Sequence, residues 1–536
     1  MVGIIHAAHK FLFDVSTHDV SGATYIDPLR ALSVPLIGGI LLGVLGLILS
    51  YAKQVRIVDP IEANALHGGR VGFRGSLIIT SQTMLSNGFG ASVGMEAAYT
   101  QIAAALASKL GRFFRLRRSD MRTLVGCGAA GAIAAAFDAP LTGAFYAFEL
   151  IIAAYSIATL APVVVAAITA TTTMRLLMPL PAFEVGYAGS ISAQDFTLII
   201  VTGVICAFVA ILMMKSVSWV ETGFKRARIP AALRPAVGGL IVGLLALLTP
   251  TVLSSGHSAL QVGFGANYPA DILLVIIVTK IIASAVSIGS GFRGGLFFAS
   301  LLLGAMIGKF MAIGWMISFG LIVPAVVIGI VGMGAMAAAV VGAPLTMVFL
   351  TLETTGSLPL TTAVLAATVV SSLVVRKVFG YSFTTWRFHL RGESIRSAAD
   401  IGWVRDLAVG RLMRKDPRIV RIDTSIVSLR RSFPLGSTQR VLVQDEKDRY
   451  RGMVMISDLH RVSEQETELS DLLLHKDAVL LPAMNLRDAI TAFSAEEADA
   501  LAVVEDESSM RIIGLLTEQH ALRRYNEELD QRMQMP

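Results

Sequence analysis

Two stretches of the sequence decide its fold: VGCGAAGAIAAAFDAPLTGAFYAFE at 125–149 and VGMGAMAAAVVGAPLTMVFLTLE at 331–353. Both begin with VGxGA, both contain APLT, and in both a glutamate follows the first alanine of APLT by ten residues. These glutamates are Glu149 and Glu353. One shared tetrapeptide arises easily by chance, but the shared order of all three features indicates an internal repeat.

The composition predicts a membrane protein with a soluble tail. Of 536 residues, 54% are hydrophobic and 16% are charged, whereas soluble domains carry about 25% charged residues. Half of the charged residues lie in 401–536, so the first 400 residues are far more apolar than the rest. This pattern excludes an ordinary cytosolic enzyme. The two cysteines, Cys127 and Cys206, exclude a disulfide scaffold and a cysteine-rich zinc site.

Glycine clusters interrupt the apolar runs, notably at 88–96 and 289–298, ahead of the two repeat copies. Broken helices at membrane depth are tolerated where they are buried in protein or line a cavity. Transporters are commonly built from inverted repeats, with an ion site where broken helices meet. Because helix N-termini carry partial positive charge and free N–H donors, several of them together would bind an anion without a lysine. The sequence therefore predicts a permeation protein.

The tail has a repeat of its own. VLVQD at 441–445 precedes GMVMISDL at 452–459, and LAVVED at 501–506 precedes GLLTEQHA at 514–521. The two glycine positions are 62 residues apart, and each unit is typical of a strand, helix, strand, strand and helix in succession. We expect two small α/β domains in tandem.

These motifs resemble the CLC family of chloride channels and proton-coupled anion exchangers, and the tail resembles a pair of CBS domains. The resemblance implies a polytopic α-helical membrane protein with an inverted internal repeat, followed by an α/β CBS pair. It also implies a homodimer that moves chloride or another small anion, with no metal or organic cofactor. The implied boundaries are a transmembrane domain over 1–395, with repeats over about 31–178 and 196–390, and CBS domains over 410–465 and 471–526.

The stretch GASVGMEAAYTQI at 90–102 is similar to the family's Gly-x-Glu-Gly-Pro helix start. The resemblance makes Glu96 the gating glutamate and Gly94 its helix-start glycine. A carboxylate at a helix N-terminus mimics a bound anion, so its protonation is expected to release it. Ala97 and Ala98 stand where the family has Gly-Pro.

The stretch GSGFRGGLFFAS at 289–300 is similar to a second helix start of the family. Gly294 and Gly295 are its glycines, and the resemblance assigns the backbone N–H groups of Phe297 and Phe298 to the anion. The alternative reading of this stretch is a glycine-rich segment for close helix packing.

Two further positions of the family's anion site are altered here. Val55 falls where the family has a serine hydroxyl, counted without gaps from Glu96, so the anion would rely there on backbone N–H groups or on Arg56. The family's central tyrosine corresponds either to Thr384 or to Tyr381, and the count back from Arg391 favours Thr384.

Glu149 matches a common glutamate of the family and is a candidate for the proton pathway. Leu150 occupies the position where many proton-coupled exchangers carry a second glutamate, and leucine cannot carry a proton. Successive residues of an α-helix point about 100° apart, so we expect Glu149 and Leu150 to face different directions. These residues favour a chloride channel. The alternatives are a proton-coupled chloride or fluoride antiporter and, more remotely, a CBS-bearing cation transporter, which would need rings of acidic residues.

The tail keeps only part of the nucleotide-binding pattern that the CBS resemblance implies. The first half has Asp458 but Met455, and the second has Thr517 but His520. We therefore expect a tail that braces a dimer and binds adenine nucleotide weakly or not at all. By the positive-inside rule, the arginine-rich loop at 112–122 is expected to be cytoplasmic, and so is the tail, which follows Lys377, Arg387, Arg391 and Arg396. We expect the chain to lie in the cell (inner) membrane.

Overall fold

The computed structural model describes residues 1–15, 20–51, 58–177, 191–192, 194–320, 323–390, 408–462 and 468–524. The chain divides into two compact units, Met1–Asp400 and Ile401–Pro536. The described part of the first unit is helical. Its helices are α1 (Val2–Phe13), α2 (Pro28–Tyr51), α3 (Pro60–Leu66), α4 (Phe73–Gly88), α5 (Glu96–Phe113), α6 (Arg118–Phe137), α7 (Pro140–Tyr146), α8 (Ile157–Leu177), α9 (Asp195–Arg226), α10 (Arg234–Ala246), α11 (His257–Gly265), α12 (Ala270–Ser290), α13 (Phe297–Phe319), α14 (Ala325–Val341), α15 (Pro344–Thr355), α16 (Leu358–Val378) and α17 (Phe383–Leu390).

Several helices are long and apolar enough to cross a bilayer, which requires about 20 residues. Among the described residues there are six such segments: Pro28–Tyr51, Ile157–Leu177, Asp195–Arg226, Ala270–Ser290, Phe297–Phe319 and Leu358–Leu390. The remaining helices are shorter, and α13 and α14 are largely buried within the unit. The expectation of a polytopic membrane protein with interrupted helices is confirmed.

Equivalent helices of the two repeats pack against each other through glycines. A Cβ on Gly39 of α2 would overlap the carbonyl oxygen of Pro235, and a Cβ on Gly239 of α10 would overlap that of Pro35. Each glycine thus makes room for the backbone of the other helix, as small residues do in membrane interfaces. This reciprocity relates α2 to α10 as symmetry partners.

The helices that follow APLT also meet. Phe145 of α7 and Phe349 of α15 occupy equivalent positions, six residues after the first alanine of each motif, and their rings stack with centroids 4.0 Å apart. Stacked aromatic rings bury a large apolar area against each other. A residue that contacts its own repeat partner lies close to the axis relating the repeats, so α7 and α15 flank that axis.

The second unit contains two small sheets of the same topology. Its elements are α18 (Val409–Leu412), β1 (Ile419–Arg421), α19 (Ile426–Ser432), β2 (Arg440–Gln444), β3 (Tyr450–Met455), α20 (Ile456–Leu459), β4 (Val479–Leu480), α21 (Leu486–Ala495), β5 (Ala500–Val504) and β6 (Ile512–Thr517). The sheet orders are β1-β2-β3 and β4-β5-β6, with the first pair parallel and the second antiparallel in each.

The correspondence of the two tail halves extends to their irregularities. The register shifts between Val443 and Gln444 in one sheet and between Val503 and Val504 in the other. Each helix between the parallel strands begins at a side-chain cap, because Ser425 and Asn485 accept backbone N–H bonds at their starts. The predicted α/β repeat of the tail is confirmed.

Candidate permeation site

The two glycine-rich segments meet in space at the starts of α5 and α13. The Gly94 N–H donates to the Gly295 carbonyl at 2.8 Å, and the Gly295 N–H donates to the Gly94 carbonyl at 3.1 Å. This antiparallel bridge lies two residues before Glu96 and Phe297, the first residues of the two helices. Because the helices belong to different repeats, the bridge brings two positive helix termini to one point.

The Glu96 side chain lies at this point and is 2% exposed. Neither of its carboxylate oxygens has a well-formed hydrogen bond among the described residues. The backbone N–H groups of Glu96 itself and of Phe298 are directed at the carboxylate. A carboxylate held between two helix starts occupies the position at which helix termini favour an anion.

The helix-start glycines shape the seat of this carboxylate. A Cβ on Gly94 would overlap both oxygens of Glu96, and a Cβ on Gly295 would lie 3.4 Å from Oε2. A Cβ on Gly294 would lie 2.5 Å from the Val93 side chain. These close approaches explain why glycine precedes each helix.

A cavity of about 260 Å³ extends from Glu96 to α17. Phe297 contributes to its wall, whereas the Phe298 ring packs edge-on against His257, 4.8 Å between centroids. The cavity also contains several polar and charged side chains that the sequence did not single out as an anion pathway. They are Asp59, Thr83, Thr100, Gln101, Tyr146, Arg293 and Arg387.

A second cavity, of about 160 Å³, adjoins the first. Ile61 and Thr384 line both cavities and so form the wall between them. Tyr381 lines only the second cavity, where its hydroxyl lies 3.2 Å from Nδ1 of His389. Of the two candidates for the central hydroxyl, Thr384 is the one beside the cavity that contains Glu96.

Val55 and Arg56 lie outside the described residues, but the next part of that segment reaches the first cavity. Asp59 is the N-cap of α3, and its carboxylate accepts the Ile61 N–H at 2.8 Å. Pro60, the first residue of the helix, has no N–H to offer, which suits that position. An Asp-Pro pair before an apolar run indicates a helix start in the sequence, but the pair alone does not show that the capping residue borders a cavity.

The repeat glutamates hold the helix starts of the opposite repeat. Glu149 accepts hydrogen bonds from the N–H groups of Leu345 and Thr346, at 2.9 and 2.8 Å, and from the Thr346 hydroxyl at 2.7 Å. Glu353 accepts the matching three bonds from Leu141 and Thr142, at 2.8, 2.8 and 2.7 Å. Both oxygens of each carboxylate are thereby engaged. The role of Glu149 in a proton pathway stays a prediction, and this capping competes with it.

Glu149 and Leu150 both line the second cavity. The chain continues after α7 as a π-helix over Ala147–Ile152, whose wider turn still points successive side chains in different directions. Lining one cavity therefore does not contradict the expectation that Glu149 and Leu150 face different directions, and that expectation stays a prediction.

Two lysines buried in the membrane unit are held by backbone carbonyls. Lys280 donates to the carbonyls of Thr251, Val252 and Ser254 at 3.0–3.2 Å. Lys309 donates to three carbonyls at the end of α11. Neither lysine lines either cavity.

In the tail, the candidate nucleotide residues lie at the ends of the last strands. Asp458 is in the first turn of α20 and accepts a hydrogen bond from the Ser457 hydroxyl at 3.4 Å. The Thr517 hydroxyl accepts the His520 N–H at 3.3 Å and so caps the helical turn that follows β6. A nucleotide would have to compete with this cap for the threonine.

Comparisons with known proteins agree with this architecture. The sequence model of the family described as "Voltage gated chloride channel" matches residues 38–376. The "Voltage-gated ClC-type chloride channel ClcB" of Escherichia coli O9:H4 (strain HS) is 32% identical over 375 residues, 68% of this chain and 88% of that protein.

Two solved structures share the fold. A slow cyanobacterial Cl-/H+ antiporter superposes with a TM-score of 0.63 at 22% identity, over 73% of this chain and 94% of the other. A eukaryotic CLC transporter superposes with a TM-score of 0.61 at 18% identity, over 97% of this chain and 94% of the other. The second likeness extends through the tail.

Proposed function

The chain belongs to the CLC family of chloride channels and antiporters and is an integral membrane protein, and from this premise we propose that it is a chloride channel gated by Glu96. The anion passes through the first cavity, beside the starts of α5 and α13. Phe297, Phe298 and Thr384 then line or face its path.

The observation that carries the proposal is the seat of the Glu96 carboxylate. It is buried between two helix N-termini, has no well-formed hydrogen bond among the described residues, and borders the larger cavity. A buried carboxylate without well-formed hydrogen bonds is costly, and the positive helix termini offset part of that cost. Because an incoming anion would compete for the same termini, the side chain blocks the path until it is protonated or displaced.

The second candidate function is proton-coupled antiport, which Glu96 itself would support as a titratable group in the cavity. Two features favour the channel. Glu149 is engaged by three donors from the opposite repeat, and Leu150 beside it has no titratable group. A proton relay through this region therefore lacks a free carboxylate among the described residues of the second cavity.

The remaining assignments are also proposals. We infer a homodimer in the cell (inner) membrane, with the arginine-rich loop at 112–122 and the tail on the cytoplasmic side. The tail would support the dimer, and adenine nucleotide would bind weakly if at all.

The experiment is chloride efflux from proteoliposomes with proton movement recorded in the same sample. We expect chloride flux without obligatory proton movement, and we expect Glu96→Gln to speed the flux or remove its pH dependence between about pH 4 and 8. Glu62→Gln is the matched control, because Glu62 is a buried glutamate that pairs with His67 at 3.4 Å and does not line the cavity.

Two results would contradict the proposal. A chloride gradient that drives uphill proton movement, lost in Glu96→Gln, would establish the antiporter. Equal flux in Glu96→Gln and the parent protein at every pH would remove the gate role.

A further inference from the structure

Asp59 is a carboxylate of the permeation cavity that has no role in the proposed gating by Glu96. It lies at the start of α3, is half-buried, and contributes to the same cavity as Glu96. Its side chain accepts the Ile61 N–H at 2.8 Å, so its negative charge is held against the helix start. The cavity therefore has an acidic group at each of two helix N-termini.

The two carboxylates share a small space. The cavity has a volume of about 260 Å³, and Asp59, Glu96 and Tyr146 all line it. Glu96 is 2% exposed and its oxygens lack well-formed hydrogen bonds among the described residues. Its charge is therefore poorly compensated before any anion arrives.

The other ionisable groups around Asp59 belong to several elements. Arg293 reaches the cavity from the segment before α13, and Arg387 reaches it from α17. Glu149 borders the second cavity, and the backbone of Arg122 contacts α3 at its far end through Asn64. Protonation of either cavity carboxylate removes one negative charge and so makes the cavity, which both arginines also border, more favourable for an anion.

We propose that Asp59 is a second titratable carboxylate of the permeation path, and that a proton on Asp59, like a proton on Glu96, favours the binding of an anion in the cavity. This inference rests on the proposed function. Like charges that border one poorly solvated cavity repel each other. Because linkage is reciprocal, anion binding must then promote proton uptake by the protein.

The test compares anion flux through wild-type protein and Asp59→Asn in proteoliposomes across pH. Asparagine caps a helix start about as well as aspartate, so this variant removes the charge and keeps the cap. We expect flux at pH 7 to rise about tenfold or more, the order expected for removing one nearby negative charge at an effective dielectric constant of about 20. We also expect the increase of flux on acidification to become shallower.

Glu62→Gln serves again as the control, since it removes a carboxylate from the same helix outside the cavity lining. Its pH profile should match that of the parent protein. A second measurement does not depend on flux: chloride added to unbuffered, detergent-solubilised protein should cause proton uptake, and Asp59→Asn should reduce it. In a Glu96→Gln background, Asp59→Asn should abolish the uptake that remains.

The outcomes separate this inference from the proposed function. If wild-type protein moves no anion, the proposed function fails. If wild-type protein moves anions but Asp59→Asn has the same flux, pH profile and proton uptake, only the role of Asp59 is overturned. If Asp59→Asn does not fold, Asp59→Ser keeps a capping oxygen and gives the same comparison.

Discussion

Glu149 and Glu353 each cap a helix start in the opposite repeat, so the two glutamates should contribute equally to the stability of the protein. Glu149→Ala removes three hydrogen bonds to the start of α15, and Glu353→Ala removes three to the start of α7. The donor–acceptor distances in the two sets agree within 0.1 Å. We therefore expect the two variants to be destabilised to the same extent.

The expected magnitude follows from the bonds lost. A hydrogen bond to a charged group contributes about 1.5–3 kcal/mol, and a carboxylate at a helix start adds about 0.3–1 kcal/mol. Both glutamates are half-buried, so water replaces part of what is lost. We expect each alanine variant to lower the free energy of unfolding by about 2–4 kcal/mol. Glu149→Gln keeps one acceptor oxygen and should cost less.

The assay is the thermal unfolding midpoint of detergent-solubilised protein, measured for both alanine variants, both glutamine variants and the parent. Equal midpoints for Glu149→Ala and Glu353→Ala, both clearly below the parent, are the expected result. A Glu149→Ala variant with the parent's midpoint and altered proton movement would refute the capping argument and make Glu149 a proton carrier instead. A fall confined to Glu353→Ala would contradict the equivalence of the repeats.

Gly94→Ala should disturb the gate, because a Cβ there would overlap the Glu96 oxygens. Its chloride flux should approach that of Glu96→Gln. Gly265→Ala is the control and should leave flux unchanged, because a Cβ there meets nothing within 4 Å. A chain that ends at residue 400 should keep chloride flux in proteoliposomes, since the two units are separately compact, and loss of flux would contradict a purely supporting tail. Calorimetry should detect no micromolar binding of ATP, because Thr517 already caps the helical turn after β6; a micromolar affinity would contradict this.

The features that could be predicted from sequence are those that local pattern determines. The APLT copies with Glu149 and Glu353, the glycines before Glu96 and Phe297, and the strand–helix order of the tail are each encoded by residues close together in the chain. Helix starts, glycine requirements and period-2 strands follow from backbone sterics and hydrogen bonding over a few residues. This is why the fold class and the helix start at Glu96 could be predicted from the sequence.

Only the tertiary structure decided which of these local features meet. The Gly94–Gly295 bridge, the exchange of caps between repeats and the shared wall of Ile61 and Thr384 all join residues far apart in sequence. The sequence analysis did not single out Asp59, because its place in the cavity with Glu96 depends on how α3 and α5 pack. Periodicity assigns a side chain to a face of a helix, whereas the group opposite that face is set by packing between elements, which no local pattern encodes.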